Sequence, residues 1–265
     1  MTRIKGFNRT SYIVLLVLFA VTLLGTVTGL IYLDHPIARR MSQYQHTWRD
    51  QWLILGLRQL GKTWAIAWLL LLWVVFTKQS RKALAVILAL LLTSFLVLPL
   101  KGLINRPRPS DIYRVQSANA STPVSTQGHS FPSGDTATVI AGCVALTGLI
   151  HRRWFLVMWP LAFGIATSRV LIIAHYLSDV FAGGALGLVC GLGARYLDER
   201  IPPVCAAWLD RHLMLVYVLL FLIPIFTWRI EGALPVQIFF FTLGLPIAGL
   251  IFIVKITHRR RPLDT

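Results

Sequence analysis

Residues 12–33 read YIVLLVLFAVTLLGTVTGLIYL, an uninterrupted run of 22 residues without a charge. Wound as a helix it would be ~33 Å long, enough to cross the ~30 Å hydrocarbon core of a bilayer. Arg3, Lys5 and Arg9 precede it, an opening similar to that of a secretory signal. The run exceeds a signal-peptide core, so an uncleaved anchor helix is the better reading. The same texture recurs along the chain at 52–76, 83–100, 132–150, 154–174, 176–197, 212–228 and 235–256. Eight helices are therefore expected, and the fold class is all-α, a polytopic transmembrane bundle. The first six form a core over about 12–197, with an extra C-terminal pair over about 212–256. No linker, internal repeat or low-complexity tract divides residues 1–265 into more than one domain.

Composition agrees with this. Hydrophobic residues make up 56% of the chain and mean hydropathy is +0.67, whereas soluble domains run nearer 45–50% apolar. Charged residues are 14% of the total and gather between the apolar runs. A net charge of +16 would suit nucleic acid if it lay on one soluble face. Here Lys and Arg sit at span ends, where anionic lipid headgroups are the natural partners, and nucleic acid is excluded as a partner. Cys143, Cys190 and Cys205 lack the close pairing of a zinc or redox motif and read as small core residues.

Placing the N-terminus in the cytoplasm puts fifteen of the 26 Lys and Arg inside: Arg3, Lys5, Arg9; Lys78, Arg81, Lys82; Arg152, Arg153; Arg195, Arg200, Arg211; and Lys255 with Arg259, Arg260 and Arg261. The excess is modest, because Arg39, Arg40, Arg49, Arg58 and Lys62 fall outside. In this orientation the polar loop from Lys101 to Phe131 and the junction near His175 share the outer face of the inner (plasma) membrane.

Three segments at helix ends on that face carry chemistry. They are Lys101 and Arg108 with Pro109; Pro132, Ser133, Gly134 and Asp135; and Ser168, Arg169, His175 and Asp179. Phosphate transfer needs cations for the nonbridging oxygens, backbone N–H donors, a nucleophile, a group that orients it, and an acid for the departing oxygen. Lys101, Arg108 and Arg169 can surround a phosphate. Ser133-Gly134 opens a helix whose first N–H groups favour an anion, and Gly134 lets the backbone come close. His175 and Asp179 are four apart, so a continuous helix would place them on one face, although a helix could also begin between them. A carboxylate on one imidazole nitrogen leaves the other free to attack phosphorus. Taken singly, each feature has an ordinary explanation: a structural His–Asp bond, a lipid anchor, a turn before a helix. Their coincidence on one face of a chain with so few charges favours a site.

The three stretches KGLINRPRP (101–109), PSGD (132–135) and SRVLIIAHYLSD (168–179) resemble the type 2 phosphatidic acid phosphatase superfamily, in its membrane-bound branch. The family pattern is Lys, six residues, Arg-Pro; Pro-Ser-Gly-His; and Ser-Arg, five residues, His, three residues, Asp. The resemblance implies that His175 is the nucleophile, that Asp179 orients it, and that Lys101, Arg108, Ser133, Gly134 and Arg169 hold the phosphate. It also implies metal-independent catalysis, with no cofactor. Ser168 would support its neighbours. Asp135 stands where the family has the His that protonates the leaving oxygen. We assign the acid role to Asp135, with His129 in GHSFPSGD as the alternative.

The expected activity is hydrolysis of a phosphate monoester or pyrophosphate on a membrane lipid, through a phosphohistidine. Phosphatidic acid, phosphatidylglycerol phosphate, a polyprenyl pyrophosphate and a lipid A phosphate are all candidates. Two other readings are a lipid phosphotransferase and a catalytically silent lipid-binding or translocating protein. A channel would need polar residues at the midplane of several spans, which most of these runs lack. A vanadate-dependent haloperoxidase shares the phosphate-shaped pocket but is typically soluble. Oligomeric state is left open.

Overall fold

The helix expected over 12–33 is longer at both ends. Asn8 caps it, its Oδ1 accepting the Ser11 N–H at 2.7 Å. From there α1 (Arg9–Thr28) passes through a π-helical turn (Gly29–Leu33) into α2 (Asp34–Gln43). The computed structural model describes residues 7–44, 47, 51–62, 65–66, 80–113, 129–147, 149–205, 207–208 and 211–212. The remaining helices are α3 (Trp52–Leu60), α4 (Ser80–Ile104), α5 (Pro109–Ile112), α6 (Gly134–Leu146), α7 (Phe155–Leu171) and α8 (Leu177–Asp198). The chain is all-α. Three segments are long and apolar enough to cross a membrane, Arg9–Gln43, Lys82–Ile112 and Leu177–Asp198, while α6 and α7 are shorter apolar helices.

Several span ends differ from expectation for local reasons. The span expected over 83–100 continues to Ile104, which carries Lys101 in its last turn. The one expected over 132–150 shortens to α6, because Ser133 is still extended and Thr147 turns extended again at ψ 129°. The one expected to reach residue 174 stops at Leu171, and Ile173 then takes a left-handed φ of 49°. Over 52–76 the described helix is Trp52–Leu60, and residues 67–76 lie outside the described residues, as does the C-terminal pair expected over 212–256 beyond His212.

At the centre is α6, with every residue from Thr136 to Leu146 buried. A helix apolar on all sides belongs inside a bundle. One side packs with Val86, Ala89 and Leu90 of α4, and the other with Leu15 of α1 and Ala162 and Ile165 of α7. Lipid tails are as apolar as leucine, so helices in a bilayer associate through close packing rather than release of water. Gly183, Gly187 and Gly191, four apart on α8, supply that closeness. A Cβ on them would stand 2.4 Å from the Ser133 carbonyl oxygen, 2.6 Å from that of Ala137, and 2.6 Å from Val144 Cβ. The outer surfaces stay apolar, with Leu16, Leu24, Leu91, Phe95 and Leu98 exposed, as a bilayer-facing surface requires.

Candidate active site

The ends of α4 and α7 and the starts of α6 and α8 meet at one end of the bundle. Two backbone links fix this. The Ser133 N–H donates to the Asp179 carbonyl at 2.9 Å, and the Ser110 N–H donates to the Ile173 carbonyl at 3.0 Å. All three segments singled out in the sequence therefore converge.

His175 sits in the turn between α7 and α8. Its backbone N–H donates to the Arg169 carbonyl at 3.2 Å, which hangs it from the last turn of α7. Its ring is 5% exposed, with Nδ1 3.5 Å from Asp179 Oδ2. The two are not on one helical face, because α8 begins between them with Tyr176 as its N-cap. Asp179 is instead the third residue of α8, and its Oδ2 accepts the Tyr176 N–H at 2.9 Å. The same carboxylate takes a hydrogen bond from the Ser130 hydroxyl and one from Arg106 Nη1 at 2.8 Å. Burial pushes the His175 pKa below the ordinary imidazole value; Asp179 opposes the shift, and the charges of Arg108 and Lys101 reinforce it. His175 is held neutral at neutral pH, the form that can attack an electrophile.

Lys101 and Arg108 bear on this imidazole, and Arg169 and Lys62 on the nearby Asp135. Arg169, 2% exposed, points Nη1 at Asp135 Oδ2 (3.1 Å) and Nη2 at the Arg58 carbonyl (2.5 Å). It passes over Gly61, where a Cβ would lie 2.8 Å from Nη2. Lys62 Nζ stands 3.6 Å from the same Asp135 oxygen. Lys101 Nζ donates to the His129 carbonyl at 3.0 Å, which brings the backbone of the alternative acid to the cup while its side chain is exposed. Arg108 is the extended N-cap of α5. At the start of α6, the Ser133 hydroxyl lies 3.0 Å from that of Thr136, and the first turn offers N–H groups that its own helix leaves without acceptors. A Cβ on Gly134 would press on Val97 Cγ1 at 3.3 Å, so this glycine also lets α6 approach α4. Ser168 donates back to the Ile165 carbonyl at 2.6 Å and supports its own helix.

Five participants escaped the sequence reading: Asp34, Arg106, Ser130, Lys62 and Gly61. Arg106 is the first of two Arg-Pro pairs in KGLINRPRP and turns away from the cup to Asp179. Asp34 is the first acidic residue in the chain and closes a long apolar run, a signal that an ionisable group at a span end has a partner. Ser130, Lys62 and Gly61 carried no comparable signal.

Residues 82–202 match the model of the PAP2 superfamily, a segment that runs from the first turn of α4 to just past the end of α8. Two solved structures are similar. Aquifex aeolicus LpxE is 26% identical, with a TM-score of 0.50 over 62% of this chain and 95% of its own. The first transmembrane PAP2 type phosphatidylglycerolphosphate phosphatase from Bacillus subtilis shares the fold at 21% identity, with a TM-score of 0.52 over 71% of this chain and 97% of its own. No curated protein is significantly similar. Together these findings support a membrane lipid phosphatase.

Proposed function

We propose that this protein hydrolyses a phosphate monoester or pyrophosphate on a membrane lipid, with His175 as the nucleophile and no metal. The observation that carries the reading is the His175–Asp179 pair, 3.5 Å apart, with Lys101 and Arg108 bearing on the imidazole and Arg169 on the neighbouring Asp135. Nδ1–H directed at Asp179 leaves the Nε2 lone pair free. The 3.5 Å separation is long for a hydrogen bond, and such contacts commonly tighten once substrate binds. Lys101, Arg108, Arg169 and the first N–H groups of α6, from Gly134 onward, supply the charge and donors that a metal supplies in other phosphatases, while the Ser133 N–H is already given to the Asp179 carbonyl.

In the first step Nε2 attacks phosphorus and the bond to the leaving oxygen breaks, with a proton delivered to that oxygen. In the second, water attacks the phosphohistidine, loses a proton to the same group and releases inorganic phosphate. Asp135 is the group assigned to both proton transfers. Its carboxylate is paired with Arg169 and Lys62 in the free protein. A substrate that binds as the phosphate monoanion brings the proton, and by competing for those cations it lets Asp135 take that proton up and pass it to the leaving oxygen; His129 is the alternative carrier. The headgroup enters at the bundle end while the acyl or prenyl tail stays among the exposed apolar side chains of the outer surface. With the N-terminus cytoplasmic, that end faces outward.

The test is a panel of phosphatidic acid, phosphatidylglycerol phosphate, polyprenyl pyrophosphate and lipid A phosphate in mixed micelles with chelator present. The wild-type protein is expected to release phosphate from at least one of them, and His175→Ala to lose about a thousandfold or more. Equal release by both proteins would remove His175 from the chemistry. Binding without release would identify a silent lipid-binding protein, and transfer to an acceptor other than water would show up among the products.

A further inference from the structure

Asp34 lies outside the matched residues 82–202 and is 1% exposed. It stands where the π-helical turn gives way to α2, against the start of α8. A Cβ on Gly29 would lie 3.0 Å from Ser178, so the approach depends on that glycine. Asp34 Oδ1 accepts the Ser178 N–H at 2.9 Å, and Oδ2 accepts the Ser178 hydroxyl and Arg106 Nη2, the latter at 2.7 Å. The other arm of the guanidinium, Nη1, reaches Asp179 Oδ1 and Ser178 Oγ, each at 2.8 Å, and the group lies 3.8 Å over the Tyr176 ring. One guanidinium is thus shared between two carboxylates, of which Asp179 faces His175.

The charge count gives this sharing a consequence. Asp34, Arg106 and Asp179 together carry a net charge of −1, and the imidazole gains positive charge as its nitrogen bonds to phosphorus. If Asp34 were neutral, Arg106 and Asp179 would cancel, and the developing charge would face a neutral pair, with the nearby Asp135 carboxylate already paired to Arg169 and Lys62. We propose that Asp34 is a positioning residue for phosphoryl transfer: by occupying half of Arg106 it leaves Asp179 an uncancelled negative charge against His175. The inference rests on His175 being the nucleophile. The other groups around this pair act differently. Lys101 and Arg108 bear on His175 from the cup and oppose its protonation. His35 and Tyr113 bond to each other, with the His35 ring 5.8 Å from that of Tyr176, and Ser130 contributes a neutral hydroxyl to Asp179.

The experiment compares full-length wild type, Asp34→Asn and Ser178→Ala on whichever lipid of the panel turns over fastest, with rates referred to folded protein. Asp34→Asn is expected to lower kcat about tenfold with KM within about twofold, because no phosphate contact is touched. Its acid limb should move down by about half to one pH unit, since losing a nearby negative charge makes His175 easier to deprotonate. Ser178→Ala keeps every charge but frees Nη1 for Asp179, and should move both readings the same way by less; it decides the matter if Asp34→Asn does not fold. A purely architectural Asp34 would lower the yield or Tm and leave kcat and the acid limb of the folded fraction where they were, and that result overturns the proposal. If His175→Ala turns over as fast as wild type, the nucleophile assignment fails and this inference falls with it; if His175→Ala is dead while Asp34→Asn is unshifted, this inference alone fails.

Discussion

The two ends of α8 use buried charge in different ways. At the C-terminal end, Arg195 pairs along its own helix, with Asp198 at 3.1 Å and Glu199 at 4.0 Å, a spacing any helix supplies. At the N-terminal end, Ser178 is held to Asp34, 144 positions away along the chain, and Asp179 to Arg106, 73 positions away. The two ion pairs of Arg195 tie neighbouring turns of the helix end together. The N-terminal arrangement joins α2, the turn after α4 and α8, and it stands behind His175. A buried ion pair within a helix can be removed at the expense of stability alone, whereas one that crosses elements also sets where the catalytic groups lie.

Replacing the arginine at each end should separate these roles most sharply. Arg106→Gln strands two buried carboxylates and is expected to cost about 3–5 kcal/mol, read as a lower denaturation midpoint in detergent. In the protein that folds, turnover should fall about a hundredfold, and the acid limb should rise, because uncompensated carboxylates favour protonated His175. That direction is opposite to the one expected for Asp34→Asn. Arg195→Gln should lower stability while leaving kcat per folded enzyme within about twofold. Equal loss of turnover from both would abolish the distinction between the ends.

The glycines of α8 permit a gentler comparison. A methyl at Gly183 meets the Ser133 carbonyl at 2.4 Å, and one at Gly191 meets Val144 Cβ at 2.6 Å. Overpacking at either place should cost about 1–3 kcal/mol. Gly183→Ala also pushes the Ser133 segment from Asp179, so a roughly tenfold loss of turnover is expected there and little or none in Gly191→Ala. Steady-state kinetics on the two variants, corrected for folded fraction, would show whether the closeness of α6 and α8 matters to chemistry only near the site.

Much of this was legible in the sequence because the bilayer imposes a simple rule. Runs such as 12–33 and 83–100 have to be helices, since nothing else satisfies their backbone in lipid. The site residues were legible where chemistry fixes their spacing, as in Lys101 with Arg108 and Ser168 with Arg169, His175 and Asp179. What escaped depended on tertiary contact. The four-residue step from His175 to Asp179 left two geometries open, one helical face or a helix beginning between them, and the fold takes the second, with α8 starting at Leu177. Arg106 and Arg108 are equivalent on paper, and only the fold sends one to Asp179 and the other to the cup. Gly61 and Ser130 were invisible because their value lies in what passes beside them: the Arg169 guanidinium over one, the Asp179 carboxylate against the other.

The most direct test is to trap the phosphoryl group itself. Wild-type protein mixed with a labelled lipid phosphate and quenched within milliseconds should carry an acid-labile, base-stable label that maps to His175. Because burial and the neighbouring cations lower the pKa of that imidazole, the label should form at about pH 6.5 at more than half its full rate, the level expected of an ordinary histidine there. A label on another residue, or full turnover with no covalent species under conditions that slow its hydrolysis, would contradict the account.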